Sequence, residues 1–303
     1  MSKRLLATVA FFDVFEMPLQ FEMLRKVLFG ESSFNPLELE IALDEAANEL
    51  EQKDGYVFLK GKAELTHKHK ITLPWREKLI RKAKRKAWIF KSCPFVDFVA
   101  ICNYLPLGVV EQNSDIDLLV VTRPGRIFTA RLFLTIMTHL AGIRRHGDKV
   151  EGRFCLSFYL NAENLTLYPL LIKPDDIYMA FWMVALLPIY ENGEIFNQMK
   201  KENELWLGKY FDMTDRYYEN FAIKKKKNLT GAFWESILKG KFGNWFENTL
   251  KAYFLNRHSR NIEDLPENAS VEVSSARLKF HNNDKRLFFL EEFRKRLERS
   301  HLV

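Results

Sequence analysis

Cysteine is scarce in this chain of 303 residues: only Cys93, Cys102 and Cys155 occur, with neither a CxxC pair nor a Cys/His metal spacing among them. That excludes a disulfide scaffold and a zinc-finger core, and leaves buried thiols in a reducing compartment as the expectation. Long apolar runs are also missing. The longest, Ile177 to Ile189, is too short for a bilayer and follows directly on Asp175 and Asp176. At the N-terminus, Asp13 and Glu16 interrupt a basic and then apolar stretch, and no small-residue cleavage site follows. A cytoplasmic protein with no membrane partner is therefore expected. Internal repeats are absent, and the one biased segment, Lys224 to Lys227, reads as an exposed linker.

What is present is a large apolar and aromatic complement. With 47% hydrophobic residues and 26 Phe, the chain has the material for packed cores, and its length allows two or three domains. The formal charge of +7 favours polyanionic partners: nucleic acid, nucleotide phosphates or an anionic surface.

Along the chain, Leu6, Val9, Phe12 and Phe15, then Phe21, Leu24, Val27 and Leu28, recur at helical spacing around Pro18. A third helix starts near Pro36 and carries Leu39, Leu43, Ala46, Ala47 and Leu50 on one face, with Asp54-Gly55 ending it. Tyr56 to Leu59 and Lys62 to Thr66, joined by Lys60-Gly61, read as a hairpin, which places His67 and His69 on a surface wing. Three helices and a hairpin make a winged helix over residues 1–75. Residues 76–93 form a basic amphipathic linker helix containing Lys82, Arg85 and Lys86, either a phosphate-facing surface or the solvated face of a connector.

From Pro94 the pattern changes to strands at Phe95 to Ile101, Ile116 to Thr122 and Arg153 to Leu160, with a helix over Phe128 to Ala141. Residues 94–174 thus predict an α/β unit, and 175–303 a mainly helical domain with one short strand at Ala269 to Ser274 and a terminal helix from Asp284 to Arg299. His281 and Asp284 read as a turn, with Asp284 a helix N-cap.

The chemistry concentrates at Ser114-Asp115-Ile116-Asp117-Leu118, which follows a loop through Gly108 and runs straight into an apolar strand. Aspartates at i and i+2 on a strand share a side, and here that side is expected to lie off the core, because Ile116, Leu118 and Val120 occupy the other. Two carboxylates held close together repel unless a cation lies between them, so Asp115 and Asp117 suit Mg²⁺. Arg123 and Arg126, just beyond the strand, and Arg131 can pair with phosphate oxygens.

With these motifs the chain resembles the nucleotidyltransferase superfamily related to DNA polymerase beta, whose signature is a Gly-Ser turn, a loop and Asp-hydrophobic-Asp. Phe11 to Leu19, Asp54 to Gly61, Ser114 to Thr122, Pro124 to Arg131 and Lys279 to Asp284 are similar to bacterial and archaeal members that join a winged helix, such a domain and a helical tail. The resemblance implies a Mg²⁺-dependent enzyme that transfers a nucleoside monophosphate from a nucleoside triphosphate to an acceptor. Asp115 and Asp117 would be the catalytic metal ligands, with Asn103, Tyr104, Gly108 and Ser114 beside the nucleotide. Asn103 and Tyr104 stand where the superfamily has Gly-Ser. The third carboxylate of many members has no counterpart, because the strand Phe154 to Leu160 offers Ser157 on the Cys155/Tyr159 side and no acid.

The expected fold is therefore α+β: winged helix, nucleotidyltransferase-type mixed sheet with flanking helices, and helical C-terminal domain. The alternative is a catalytically degenerate member that binds nucleotide, protein or DNA as a regulator. DNA is disfavoured because the third helix carries Glu38, Glu40, Asp44, Glu45, Glu49 and Glu51. The acceptor, whether small molecule, protein or RNA, has no visible motif.

Overall fold

A computed structural model describes residues 1–30, 35–172, 174–211, 223–224, 228–261, 266, 268–281 and 283–299; most of the lysine run read as a linker lies outside them. The chain begins with α1 (Ser2–Asp13), β1 (Leu19–Gln20), α2 (Phe21–Val27), α3 (Pro36–Glu45), β2 (Leu50–Lys53) and β3 (Tyr56–Leu59). The strands form an antiparallel sheet in the order β1-β3-β2. Asn35 starts α3 with a capping box: its side chain accepts the Leu37 N–H, and Glu38 reaches back to the Asn35 N–H.

The hairpin lies one strand earlier than expected. Asp54 and Gly55 both have positive φ, 54° and 79°, and make the two-residue turn between β2 and β3 instead of ending a helix. Residues beyond Ala63 enter α4 (Glu64–Lys86), a single helix that runs through Pro74 and through the expected start of the linker. His69 is accordingly a buried helical residue packed edge-on against Tyr56, not a wing residue.

The remaining elements are α5 (Trp88–Ser92), β4 (Val96–Ile101), α6 (Tyr104–Leu107), β5 (Ile116–Thr122), α7 (Ile127–Leu140), β6 (Phe154–Asn161), α8 (Ile177–Val184), β7 (Leu187–Glu191), α9 (Ile195–Leu207), β8 (Ile223–Lys224), α10 (Leu229–Ile237), α11 (Gly240–Asn261), β9 (Ser270–Val273), β10 (Arg277–His281) and α12 (Arg286–Arg299). One mixed seven-stranded sheet runs β8-β7-β4-β5-β6-β10-β9. The pairs β5/β6 and β7/β8 are parallel, the others antiparallel. The architecture is α+β. The segment expected to be a helical tail supplies four of the strands, and the apolar run Ile177 to Ile189 divides into α8 and β7. Periodicity could not separate them because almost every position in that run is buried.

Both faces of the central strands are covered. Phe98, Ala100, Leu119, Val121, Phe158 and Leu160 join a core with α1, α8, α9 and α12, while Val99, Ile101, Leu118, Val120 and Tyr159 join a second core with α4, α5 and α7. The side of β5 that carries Asp117 is thus apolar further along, at Leu119 and Val121, contrary to the expectation that this side lay off the core. Near-continuous apolar strands are the signature of such two-sided burial. Asp13, at the end of α1, accepts hydrogen bonds from Lys62 (2.6 Å) and from Arg296 of α12 (2.7 Å), tying the N-terminal elements to the last helix. Among the described residues no helix is long and apolar enough to cross a membrane.

Candidate functional site

At the Asp117 end of β5 the two-sided packing opens. A cleft of about 430 Å³ lies between the sheet and α8, α12 and the segment linking β10 to α12; its floor includes Asn103, Tyr104, Asp117, Cys155 and Ser157, and its far wall Trp182, Lys279, His281, Arg286 and Phe289. The chain enters the site through a strained turn. Asn103, directly after β4, has φ 61° and ψ −130°, a conformation natural to glycine, and so does by strain what glycine does freely. Its side chain is committed on two sides: Oδ1 accepts from Trp182 Nε1 at 2.8 Å, and the amide also engages Asp117.

Asp117 pairs in register with Cys155 across the parallel β5/β6 ladder. One residue further, Leu118 of β5 faces two residues of β6, Leu156 and Ser157, because the register resumes at Leu119 opposite Phe158. This bulge reverses the alternation of β6, so Cys155 faces the cleft whereas Tyr159 packs in the opposite core. The expected grouping of Ser157 with both Cys155 and Tyr159 fails for this reason. Asp115, Asp117 and Cys155 each bring a ligand atom to within 4.8 Å of the others.

The electrostatics are those of crowded negative charge in an enclosed place. Burial, reinforced by Asp115, raises the Asp117 carboxyl to about 6; hydrogen bonds from Asn103 and Cys155 and the charge of Arg145 offset this in part. Burial and Asp117 together push the Cys155 thiol and the Tyr104 hydroxyl each to about 12. Asp115 is paired with Arg145, whose Nη1 donates to Oδ2 at 2.7 Å. On the far wall, burial works against ionisation of Asp284, but Arg286 and Lys279 outweigh it and hold that carboxyl well below the usual range. Burial, helped by the Lys279 charge, lowers His281 to about 4, so its ring is neutral near pH 7. Arg286 bridges Asp284 (2.8 Å) and Asp176 (2.7 Å), and Asp176 caps α8 by accepting the Met179 N–H.

Asn103, Tyr104 and Asp117 thus meet in one cleft, with Asp115 at its edge. The others do not join them. Gly108 has φ 88° at the end of α6 and faces Met17 and His69, where an added Cβ would lie 2.7 Å from Met17 Cε; its role is a turn behind the site. The Ser114 hydroxyl accepts the Glu111 N–H and its carbonyl the Gly152 N–H, which pins the loop before Asp115. Arg123 and Arg126 stand beyond the opposite end of β5, roughly 20 Å from Asp117 at strand rise. Arg123 bonds Asp97 and Glu235, and Arg126 bonds Asn244 and lies over the Phe95 ring. Strand length alone thus sets both apart from the carboxylate pair.

Sequence reasoning passed over Arg145, Lys279 and Arg286 as site residues and did not assign Cys155 a ligand role. The alternation Arg277-Leu-Lys-Phe-His281 was a readable strand signal for β10. The contributions of Arg145 and Cys155 depend on a loop and a bulge and left no local pattern.

The donor set fits a divalent cation: two carboxylates give the oxygen ligands that Mg²⁺ requires, with water able to complete the shell, and the thiol of Cys155 adds a softer donor that Mn²⁺ accepts more readily than Mg²⁺. Comparisons with family models, curated proteins and solved structures returned no match.

Proposed function

We propose that the protein is a nucleotidyltransferase that takes a nucleoside triphosphate and transfers the nucleoside monophosphate to an acceptor hydroxyl or phosphate, breaking the α–β phosphoanhydride bond and releasing pyrophosphate. The observation that carries this reading is the convergence of Asp117 and the glycine-like turn at Asn103 in the floor of one cleft, with Asp115 beside them at its edge. It supports the superfamily resemblance at the point where the residues themselves depart from it: asparagine stands where glycine is usual and keeps the backbone shape. Asp115 and Asp117 would hold Mg²⁺, which when bound neutralises developing phosphoryl charge and lowers the pKa of an attacking hydroxyl. Arg145, paired with Asp115 beside the cleft, would supply positive charge to phosphate oxygens. Tyr104 borders the cleft between Phe15 and Phe289 and offers its hydroxyl as a donor in place of the superfamily serine.

The order α1-β1-α2-α3-β2-β3 supports reading the N-terminal part as a winged helix. The exposed face of α3 carries Glu38, Glu40, Asp44 and Glu45, so this module is a protein-contact or packing unit, not a DNA reader.

A second reading, a nucleotide-binding regulator without transfer activity, is favoured by one observation: Cys155 occupies the place beside the pair where a third carboxylate would serve as general base. Incubating the full chain with each α-³²P-labelled triphosphate and Mg²⁺ or Mn²⁺, beside Asp115→Ala/Asp117→Ala, separates the readings. Label transfer lost in the variant supports the enzyme. Metal-dependent binding without transfer supports the regulator, and no metal-dependent binding by folded protein refutes both.

A further inference from the structure

A second cavity, of about 230 Å³, adjoins the cleft on the α7 side of β6 and shares Arg145, Cys155, Ser157 and Phe280 with it. Its remaining polar lining comes from Arg131 and Thr135 of α7 and from Arg144 and His146 of the loop that follows; among the described residues no acidic one lines it. Arg145 is paired with Asp115, but the guanidinium groups of Arg131 and Arg144 repel each other across so small a space unless an anion lies between them.

Arg131 is the informative member. It is largely enclosed, with its guanidinium 4.2 Å from the centroid of the Phe280 ring and 5.4 Å from that of Tyr159. Its Nη1 donates to the Leu156 carbonyl at 3.0 Å, and no described carboxylate pairs with it. Burial lowers its pKa, and the charge of Arg144 adds to the effect. Arg144 likewise has no carboxylate partner among the described residues, and its loop is anchored by Arg145 N–H donating to the Phe154 carbonyl at 2.9 Å. A guanidinium has five donors in a planar fork, so beyond the Leu156 carbonyl and the Tyr159 hydroxyl, Arg131 and Arg144 together leave several donors without acceptors among the described residues. Stacking over Phe280 fixes the plane of the Arg131 fork, and such fixing suits bidentate contact with phosphate.

We propose that this notch is an anion subsite that holds a phosphate group next to the Asp115/Asp117 pair. The proposal deepens the nucleotidyltransferase reading by giving the site a second phosphate position, and the phosphate has two possible sources: the polyphosphate tail of the nucleotide, or a phosphorylated acceptor. Arg145 lies in both cavities and links them, paired with Asp115 on one side and facing the notch on the other.

The test uses inorganic pyrophosphate as probe, in calorimetric titrations of the full chain without divalent metal, so that it stands whether or not the metal and transferase reading holds. Wild type and Asp115→Asn/Asp117→Asn are both expected to bind pyrophosphate, the latter at least as tightly because negative charge beside Arg145 is gone. Arg144→Gln, a loop variant, should weaken binding about tenfold or more. Arg131→Gln should do the same, with a thermal melt to show that it folds. Arg85→Gln, on the exposed face of α4, should leave binding unchanged. Absence of pyrophosphate binding by wild type, or an equal loss in Arg85→Gln, overturns the proposal, since the first denies a site and the second reduces it to net charge. Repeating the titration with a saturating triphosphate and Mg²⁺ separates the sources. Competition, together with a weaker triphosphate in Arg144→Gln, assigns the notch to the nucleotide tail. Simultaneous binding with nucleotide affinity unchanged assigns it to a phosphorylated acceptor.

Discussion

Replacing Asp117 by Asn should stabilise the metal-free protein, and the gain should depend on pH in a defined direction. The carboxyl is raised from its ordinary 3.8 to about 6 by burial and by Asp115. A folded-state pKa above the unfolded one means that the native protein binds this proton more tightly, so stability falls as pH rises from about 4 to about 6 and is level beyond. At ~1.4 kcal/mol per tenfold change, the ionised group costs at most ~3 kcal/mol at pH 8, and water entering the open cleft reduces this towards ~1 kcal/mol. Asn keeps a carbonyl to accept from Asn103 and carries no charge. Asp117→Asn is therefore expected to exceed wild type by ~1–3 kcal/mol at pH 8 and to match it near pH 4. Urea unfolding followed by tryptophan fluorescence across that range, in chelator, measures the difference. Adding Mg²⁺ or Mn²⁺ should then stabilise wild type alone, by ~2.7 kcal/mol at a hundredfold excess over the dissociation constant. A variant that is no more stable than wild type at pH 8, or whose advantage does not shrink as pH falls, refutes the argument that Asp117 is a buried charge only partly balanced by Arg145.

Three other outcomes are expected. Cys155→Ser should narrow the preference for Mn²⁺ over Mg²⁺ by about tenfold, read from Mn²⁺ electron paramagnetic resonance, because it removes the soft donor beside the carboxylates. Arg123→Ala should lower stability by ~1–2 kcal/mol through loss of its bonds to Asp97 and Glu235, while nucleotide affinity stays unchanged; a drop in affinity would contradict its place at the far end of β5. Gly108→Ala should cost ~1–3 kcal/mol in chemical denaturation, since φ is 88° and the new methyl displaces Met17, again without effect on nucleotide binding.

The parts of the fold legible in the sequence were those with local signals. The strands β4, β5 and β6 and the helix α7 were recovered to within a residue or two from apolar runs and periodicity, and the carboxylate pair was visible because i, i+2 spacing on a strand is itself geometry. The hairpin was displaced because Asp54-Gly55 was read as a helix stop, although the same dipeptide is the strongest signal for a two-residue turn. β10 has a readable alternation at Arg277 to His281 that the reading passed over; its pairing with β6, more than a hundred residues earlier in the chain, has no local signal, and the far wall of the cleft went with it. Cys155 as a third donor could not be read from alternation, since the bulge at Leu156 and Ser157 breaks the alternation at that very place.

The late position of β10 in the chain bears on when the site can exist during synthesis. The floor of the cleft is encoded early, from Asn103 to Ser157, but Lys279, His281, Arg286 and Phe289 emerge from the ribosome more than a hundred residues later. Until then β6 is an open edge and the carboxylates face water, where their mutual repulsion is weak. Docking of β10 and α12 therefore both closes the cleft and brings Asp117 into the enclosed environment that raises its pKa. A partly made chain has no complete cleft, and the charged centre becomes costly only when synthesis has passed that wall.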